Sequence, residues 1–152
     1  MTRKAGDGAF TDNYLLYLLA QASAAASEAF HAELTTQGVP VSTWRILASL
    51  YPDARLNVGT LARRCLLKQP TLTRTLDRLA ADGIIRRLHA KDDRRAVLVE
   101  LTGDGQRLAA EKVQLAQQHE TRVLAGYSEA EVADLKSKLR ALLVDGEAGD
   151  SD

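Results

Sequence analysis

Cysteine is almost missing from this chain, with Cys65 the only one among 152 residues. An intramolecular disulfide framework and a cysteine-rich zinc site are therefore excluded, and a reducing, cytoplasmic setting is expected. Long apolar runs are missing too, and nothing approaches the ~20 residues needed to span a bilayer. The opening MTRKAGDGAFTDN is basic but carries no apolar core, so neither secretion nor a membrane partner is expected. Neither a P-loop nor a GxGxxG glycine loop occurs, and no nucleophile with a base can be picked out. His31, His89 and His119 fall on three different predicted elements with no close His or Cys partner, although Glu120 adjoins His119. No metal, cofactor or catalytic activity is expected. Asp92-Asp93 lies among arginines on a predicted hairpin tip, where ion pairing suits the carboxylates better than acid/base work.

Net charge is also lacking, since 20 Lys+Arg balance 20 Asp+Glu. That average conceals a partition. Arg55 to Arg95 holds eleven basic residues against four aspartates, a local +7, while the rest of the chain carries −7. A basic middle between acidic arms offers one face to a polyanion, or is simply a cluster of solvated charges. The length suits one domain, and 45% hydrophobic with 26% charged residues is enough to bury a core.

What is present is helical periodicity. Residues 11–37 predict one long helix, with Leu15, Leu18, Leu19, Ala22, Ala26, Ala29 and Phe30 at three- and four-residue steps. Thr11 is the expected N-cap, and Gly38 and Pro40 end the helix. At roughly 40 Å it exceeds what a small core needs, so part of it should pack elsewhere. Apart from the alanine-rich patch within it, Ala22 to Ala29, no repeat or low-complexity segment occurs.

Ser42 should cap a second helix that carries Trp44, Leu47, Ala48 and Tyr51 and stops at Pro52. Asn57 should cap a third, with Val58, Leu61, Ala62 and Cys65 inward and Arg63 and Arg64 outward. Gln69-Pro70 opens a fourth, where proline at the first helical position costs no hydrogen bond, and Gly83 ends it. From Ile84 the period shifts towards two, giving a β-hairpin with a basic tip and a return strand over residues 96–101. Thr102 caps a fifth helix to about Leu124, and Ser128 a sixth to about Val144. Thr60 and Gly105 stand where glutamate would complete capping boxes begun by Asn57 and Thr102, leaving simple caps.

Three short helices followed by a hairpin describe a winged helix-turn-helix. The fold class is mostly α with a small β-hairpin. In KQPTLTRTLDRL, inward Leu72, Leu76 and Leu79 turn Gln69, Thr71, Thr73 and Arg74 to solvent. Amides, hydroxyls and arginine forks are the groups that read base edges and hold phosphates, and a helix N-terminus adds partial positive charge. Lys68, Pro70, Arg78, Asp93, Arg94 and Arg95 complete the candidate contact set with double-stranded DNA.

At this point the chain resembles the MarR family of bacterial transcription regulators over nearly all of residues 1–152. The most specific stretch is KDDRRAVLVELTGDG, similar to that family's wing signature, with Asp93, Arg95, Leu101, Thr102 and Gly105 in its places. LAADGIIRR and GVPVSTWRILASL resemble its turn into the wing and its second helix. The resemblance implies that Arg95 is the wing-tip arginine that enters the minor groove, buttressed by Asp93. It also implies a homodimer built from helices over residues 11–37 and 103–144, around a DNA-binding lobe over 41–102. The closing helices agree, since Leu108, Val113, Leu115, Leu124, Leu135, Leu139, Leu142 and Leu143 exceed what a small core could cover. A two-fold dimer would present two recognition helices to a pseudo-palindromic operator.

The family further implies a small-molecule effector, often an aromatic acid, for which Tyr14, Tyr17, His31, Trp44 and Arg45 are the candidate residues. Arg45 could pair with an effector carboxylate or acyl-CoA phosphate, or equally with Glu28, Glu33 or Asp53. The first two helices also resemble a subgroup tied to aromatic or hydroxycinnamoyl-CoA catabolism. Cys65 falls on an apolar helix face with no second cysteine, which favours packing over redox sensing. The expected function is a ligand-responsive repressor. The rival is a winged-helix module that binds protein instead of DNA, and such a module would not require Arg74, Arg94 and Arg95 beside outward threonines.

Overall fold

The computed structural model describes residues 8–148. After a 3-10 turn at Phe10–Asp12, six α-helices and three strands follow: α1 Leu15–Thr36, α2 Val41–Leu50, β1 Leu56–Asn57, α3 Val58–Cys65, α4 Gln69–Ala81, β2 Ile85–Ala90, β3 Asp93–Leu101, α5 Gly103–Val123 and α6 Glu129–Ala148. Two compact units are distinguished, one reaching to Ala116 and the other beginning at Gln117.

Thr11 does not cap α1, because it sits inside the 3-10 turn, and the helix begins four residues later at Leu15. The 22-residue helix is about 33 Å long. Of its expected apolar stripe, Phe30 is buried, together with Leu34 one turn on, while Leu15 and Leu18 stay exposed. Gly38 closes the helix at φ 76°, a conformation that glycine adopts without steric cost.

Ser42 does not cap α2 either. Pro40 occupies the N-cap position with no side-chain bond, and Ser42 lies within the first turn. Asn57 does cap α3: its Oδ1 accepts from the Thr60 amide at 2.8 Å. The return strand of the hairpin begins at Asp93, three residues before its expected start, and a bulge falls between His89 and Ala90. Strand β1 was not anticipated. Its two residues pair antiparallel with β3, Leu56 opposite Val99 and Asn57 opposite Leu98, in the order β1-β3-β2.

The main core joins Ile46, Leu47 and Leu50 of α2, Leu61, Ala62 and Cys65 of α3, the three inward leucines of α4, and Ile85, Val99 and Leu101 of the sheet. A smaller cluster gathers Phe30, Leu34 and Val39, with Trp44 set edge-on to Phe30 at 5.2 Å between ring centroids. In the second unit, Ser128 and Glu131 form a reciprocal capping box at the start of α6, with the Ser128 amide donating to Glu131 Oε2 at 2.8 Å and the Glu131 amide to Ser128 Oγ at 3.2 Å.

Candidate nucleic-acid interface

The turn between α3 and α4 is held by Leu66, whose backbone is left-handed at φ 56°. The Leu67 amide reaches back to the Ala62 carbonyl at 3.0 Å and the Leu66 amide to the Arg63 carbonyl at 3.2 Å, a Schellman-type closure. This closure directs the chain into α4. Lys68 is the N-cap residue, Gln69 the first helical residue and Pro70 the second, so the proline sits one place later than expected and still costs no hydrogen bond.

With Leu72, Leu76 and Leu79 buried, Lys68, Gln69, Pro70, Thr71, Thr73 and Arg74 are all exposed on the opening half of α4. Arg78 is exposed as well but differently engaged, since its Nη2 donates to Thr43 Oγ1 of α2 at 3.0 Å. Arg63 was read only as outward-facing. Its Nη1 and the Gln69 amide nitrogen both come within 3.9 Å of where a Cβ on Gly59 would stand, which places a further cation beside the start of α4. Its position in the basic segment was the available signal.

The wing tip is ordered by Asp93, whose Oδ1 accepts from the Arg95 amide at 2.9 Å. The Arg95 side chain is exposed. Arg94 precedes it in β3, and its side chain lies outside the described residues.

Not all of the basic segment faces a partner. Glu100, buried on the sheet, accepts from Arg55 Nε and Arg86 Nε, each at 2.6 Å. The Arg86 bond does most to hold its carboxyl below the usual range, with Arg55 adding to it against the opposing effect of burial. Arg87 binds Asp77 at 2.6 Å, tying β2 to α4. Three arginines of the +7 segment are therefore engaged by two carboxylates, and Arg63, Arg64, Lys68, Arg74, Arg78, Lys91 and Arg95 remain as exposed cations on the helix-turn-helix and wing.

The five candidate effector residues do not form one group in this chain. Tyr14 and Tyr17 belong to an exposed aromatic row with Phe10, Tyr14 stacking on Phe10 at 4.8 Å. His31 and Trp44 flank Phe30. Arg45 meets none of the three carboxylates named for it and instead donates to the Cys65 carbonyl at 3.4 Å, at the C-terminal end of α3. A cation there offsets the partial negative charge of the helix end, which accounts for an internal arginine without an acid. Burial pushes the Cys65 thiol up, outweighing its 3.6 Å contact with Ser49 Oγ, so the group is a poor thiolate source. Among the described residues no group of three His, Cys, Asp or Glu could hold a metal, and no helix is long and apolar enough to cross a membrane.

This arrangement defines a winged helix-turn-helix protein with an exposed, cation-rich recognition helix. Residues 40–97 match the MarR family. A MarR family transcriptional regulator from Silicibacter pomeroyi DSS-3, of known crystal structure, is 40% identical with a TM-score of 0.78, covering 90% of this chain and 97% of that one. The chain belongs to the MarR family. NadR, crystallised with 4-hydroxyphenylacetate, shares 25% identity at a TM-score of 0.77, over 93% of this chain and 97% of its own. The homoprotocatechuate degradative operon repressor of Escherichia coli is 32% identical over 94 residues, 62% of this chain and 64% of its own length. The aligned part thus spans just under two thirds of such curated relatives.

Proposed function

We propose that this protein is a dimeric, ligand-responsive transcriptional regulator that binds a pseudo-palindromic DNA operator as a repressor and is released by a small aromatic acid or acyl-CoA. The observation that carries the reading is the exposed opening half of α4, where Gln69, Thr71, Thr73 and Arg74 stand over a buried leucine stripe. Arg95, presented by Asp93, extends the same surface along the wing. Major-groove readout by the first group fits their hydrogen-bonding chemistry, and minor-groove insertion of Arg95 is what the family resemblance implies.

Dimerisation is supported by apolar side chains left exposed in each unit, among them Tyr14, Leu15, Leu16 and Tyr17 in the first and Leu135, Leu142, Leu143 and Val144 in the second. A two-fold partner covering them would set two recognition helices about one DNA turn apart. Helices α1, α5 and α6 then serve dimerisation, and residues 41–102 serve DNA. The aromatic-acid class draws support from the 4-hydroxyphenylacetate bound to NadR and from the aromatic operon named for the E. coli relative. Regulation of this kind takes place in the cytoplasm and calls for no catalytic step.

The test is a titration of purified protein against the DNA flanking its own gene, beside a scrambled duplex, at several salt concentrations. Two chains per site are expected, with affinity falling steeply as salt rises, since each neutralised phosphate contributes roughly −0.9 to the log–log slope. No binding to either duplex at low salt would overturn the proposal in favour of a protein-binding module.

A further inference from the structure

Gly59 is the second residue of α3, and neither its backbone nor its packing calls for glycine. The backbone there is right-handed helical, a conformation in which alanine is the more stable residue. A Cβ built on it would have Asn57 Oδ1 3.6 Å away and Arg63 Nη1 and Gln69 Nε2 each 3.9 Å away, all ordinary contacts. The chain thus leaves room for a methyl group that it does not use. Glycine also serves where backbone and ligand approach closely.

The groups around this notch identify the ligand. Two of the three polar tips are donors, and they come from different helices, Arg63 from α3 and Gln69 from the start of α4. Arg63 is anchored, since its Nη2 donates to Thr60 Oγ1 at 3.3 Å while the Thr60 amide donates to Asn57 Oδ1 at 2.8 Å. The Asn57 oxygen is thereby turned to its own helix, and Nη1 and Nε2 face the notch. No Asp or Glu occurs from Arg55 to Leu76, whereas Arg63, Arg64, Lys68 and Arg74 are all exposed there. Such surroundings suit an anion, and a guanidinium beside an amide is a pair that holds phosphate oxygens.

We propose that the notch over Gly59 seats one backbone phosphate of bound DNA in each protomer, held by Arg63 and Gln69 and admitted by the missing side chain. The inference rests on the DNA-binding reading above and adds to it a contact made by α3. Of the residues given to base readout, Gln69 moves to the backbone, and Thr71, Thr73 and Arg74 keep the base edges. Phosphate contacts fix orientation and carry no sequence information, so the seat governs affinity and leaves the choice of sequence to α4.

The experiment compares the full-length wild-type chain with Gly59→Ala on a duplex from the DNA flanking its own gene and on a scrambled duplex. The added methyl takes up the notch. The unfolding midpoint should be equal or higher, as alanine in a helix requires, while affinity for both duplexes falls by the same factor, about tenfold or more. The log–log salt slope should become shallower by roughly 2, from one phosphate per protomer at about 0.9 each. A second arm leaves the protein intact and replaces single phosphates of the half-site by uncharged methylphosphonates. One position should weaken the wild type and have no effect on Gly59→Ala, in which that contact is already lost. Unchanged affinity and slope in Gly59→Ala would overturn the seat while DNA binding stands, and a lowered midpoint would make the glycine structural. Wild-type protein that binds neither duplex would overturn the seat and the DNA reading together. Binding of inorganic phosphate that Gly59→Ala abolishes, with every methylphosphonate acting alike on the two proteins, would give the notch to a free anion instead.

Discussion

A Cβ placed on Gly105 would stand 2.0 Å from the carbonyl oxygen of Ile84, inside any permissible contact. The first turn of α5 lies directly on the strand-entry backbone at this point. Thr102 bridges the same two segments: its hydroxyl donates to the Gly83 carbonyl at 2.5 Å, with the Ile84 carbonyl 3.1 Å away, and accepts from the Gly105 amide at 3.1 Å. The Leu-Thr-x-x-Gly stretch is therefore a packing device that fixes α5 to the root of the wing.

Gly105→Ala should destabilise the fold by about 3 kcal/mol or more, at the upper end of overpacking costs, because the obstacle is backbone and cannot rotate away. Gly103→Ala is the matched control. Its nearest neighbour would be a flexible arginine tip at 3.9 Å, so a change within about 0.5 kcal/mol is expected. Urea unfolding of both variants decides it, and equal midpoints would refute the close-contact account.

Arg95→Ala should weaken operator binding by roughly 1–3 kcal/mol with the unfolding midpoint unchanged, since the side chain is exposed and faces no core group. Asp93→Ala should lower affinity as well, because the wing tip loses the carboxylate that fixes the Arg95 amide. Electrophoretic titration beside thermal melting separates the two effects. An Arg95→Ala protein that binds as tightly as the parent would remove the wing from the interface.

Glu100 sets an acid limit on stability. Its carboxyl is held below the ordinary value of 4.5, chiefly by the Arg86 hydrogen bond and further by Arg55, so the unfolded chain takes up the proton first. The contribution is complete above about pH 4.5 and is lost as pH falls through the lower folded value. Glu100→Gln should flatten the stability-versus-pH curve in this acid range, at the expense of a weaker clasp at neutral pH. Parallel curves for the two proteins would show that the Arg55–Glu100–Arg86 row adds nothing to the acid limb.

Leu66 holds a left-handed backbone while 77% exposed, so it incurs strain without gaining burial. Left-handed geometry costs a branched-chain L residue about 1–2 kcal/mol, and glycine gives back about 0.4–1 kcal/mol of that through unfolded-state entropy. Leu66→Gly should therefore raise stability, by up to about 1 kcal/mol in denaturant unfolding, and a lower midpoint would contradict the strain argument.

The inward faces of α3 and α4 were legible because buried leucines at helical spacing admit one orientation. Asn57 was legible as a cap because its short side chain can reach only its own helix start. Thr11 and Ser42 failed as caps for a different reason. Pro40 fixes where α2 can begin, and the 3-10 turn consumes Thr11, so each helix start was set by backbone geometry and not by the nearest hydroxyl. Strand β1 left no signature, since two residues cannot display a period of two. Arg55, Arg86 and Arg87 read as free charge because their partners, Glu100 and Asp77, lie ten to forty-five residues away along the chain. The Arg45 contact with a carbonyl was invisible, as any residue could supply that acceptor.

The sheet is anchored at one end only. Ile85, Val99 and Leu101 are buried at its base, whereas Lys91, Asp92 and Asp93 at the tip are all exposed. Reach and grip are thus separable quantities: lengthening or shortening the tip between Lys91 and Asp92 would change how far the arm extends along a duplex without disturbing the angle at which α4 is presented. One scaffold could in this way be fitted to grooves of different width by changing the few residues at the tip.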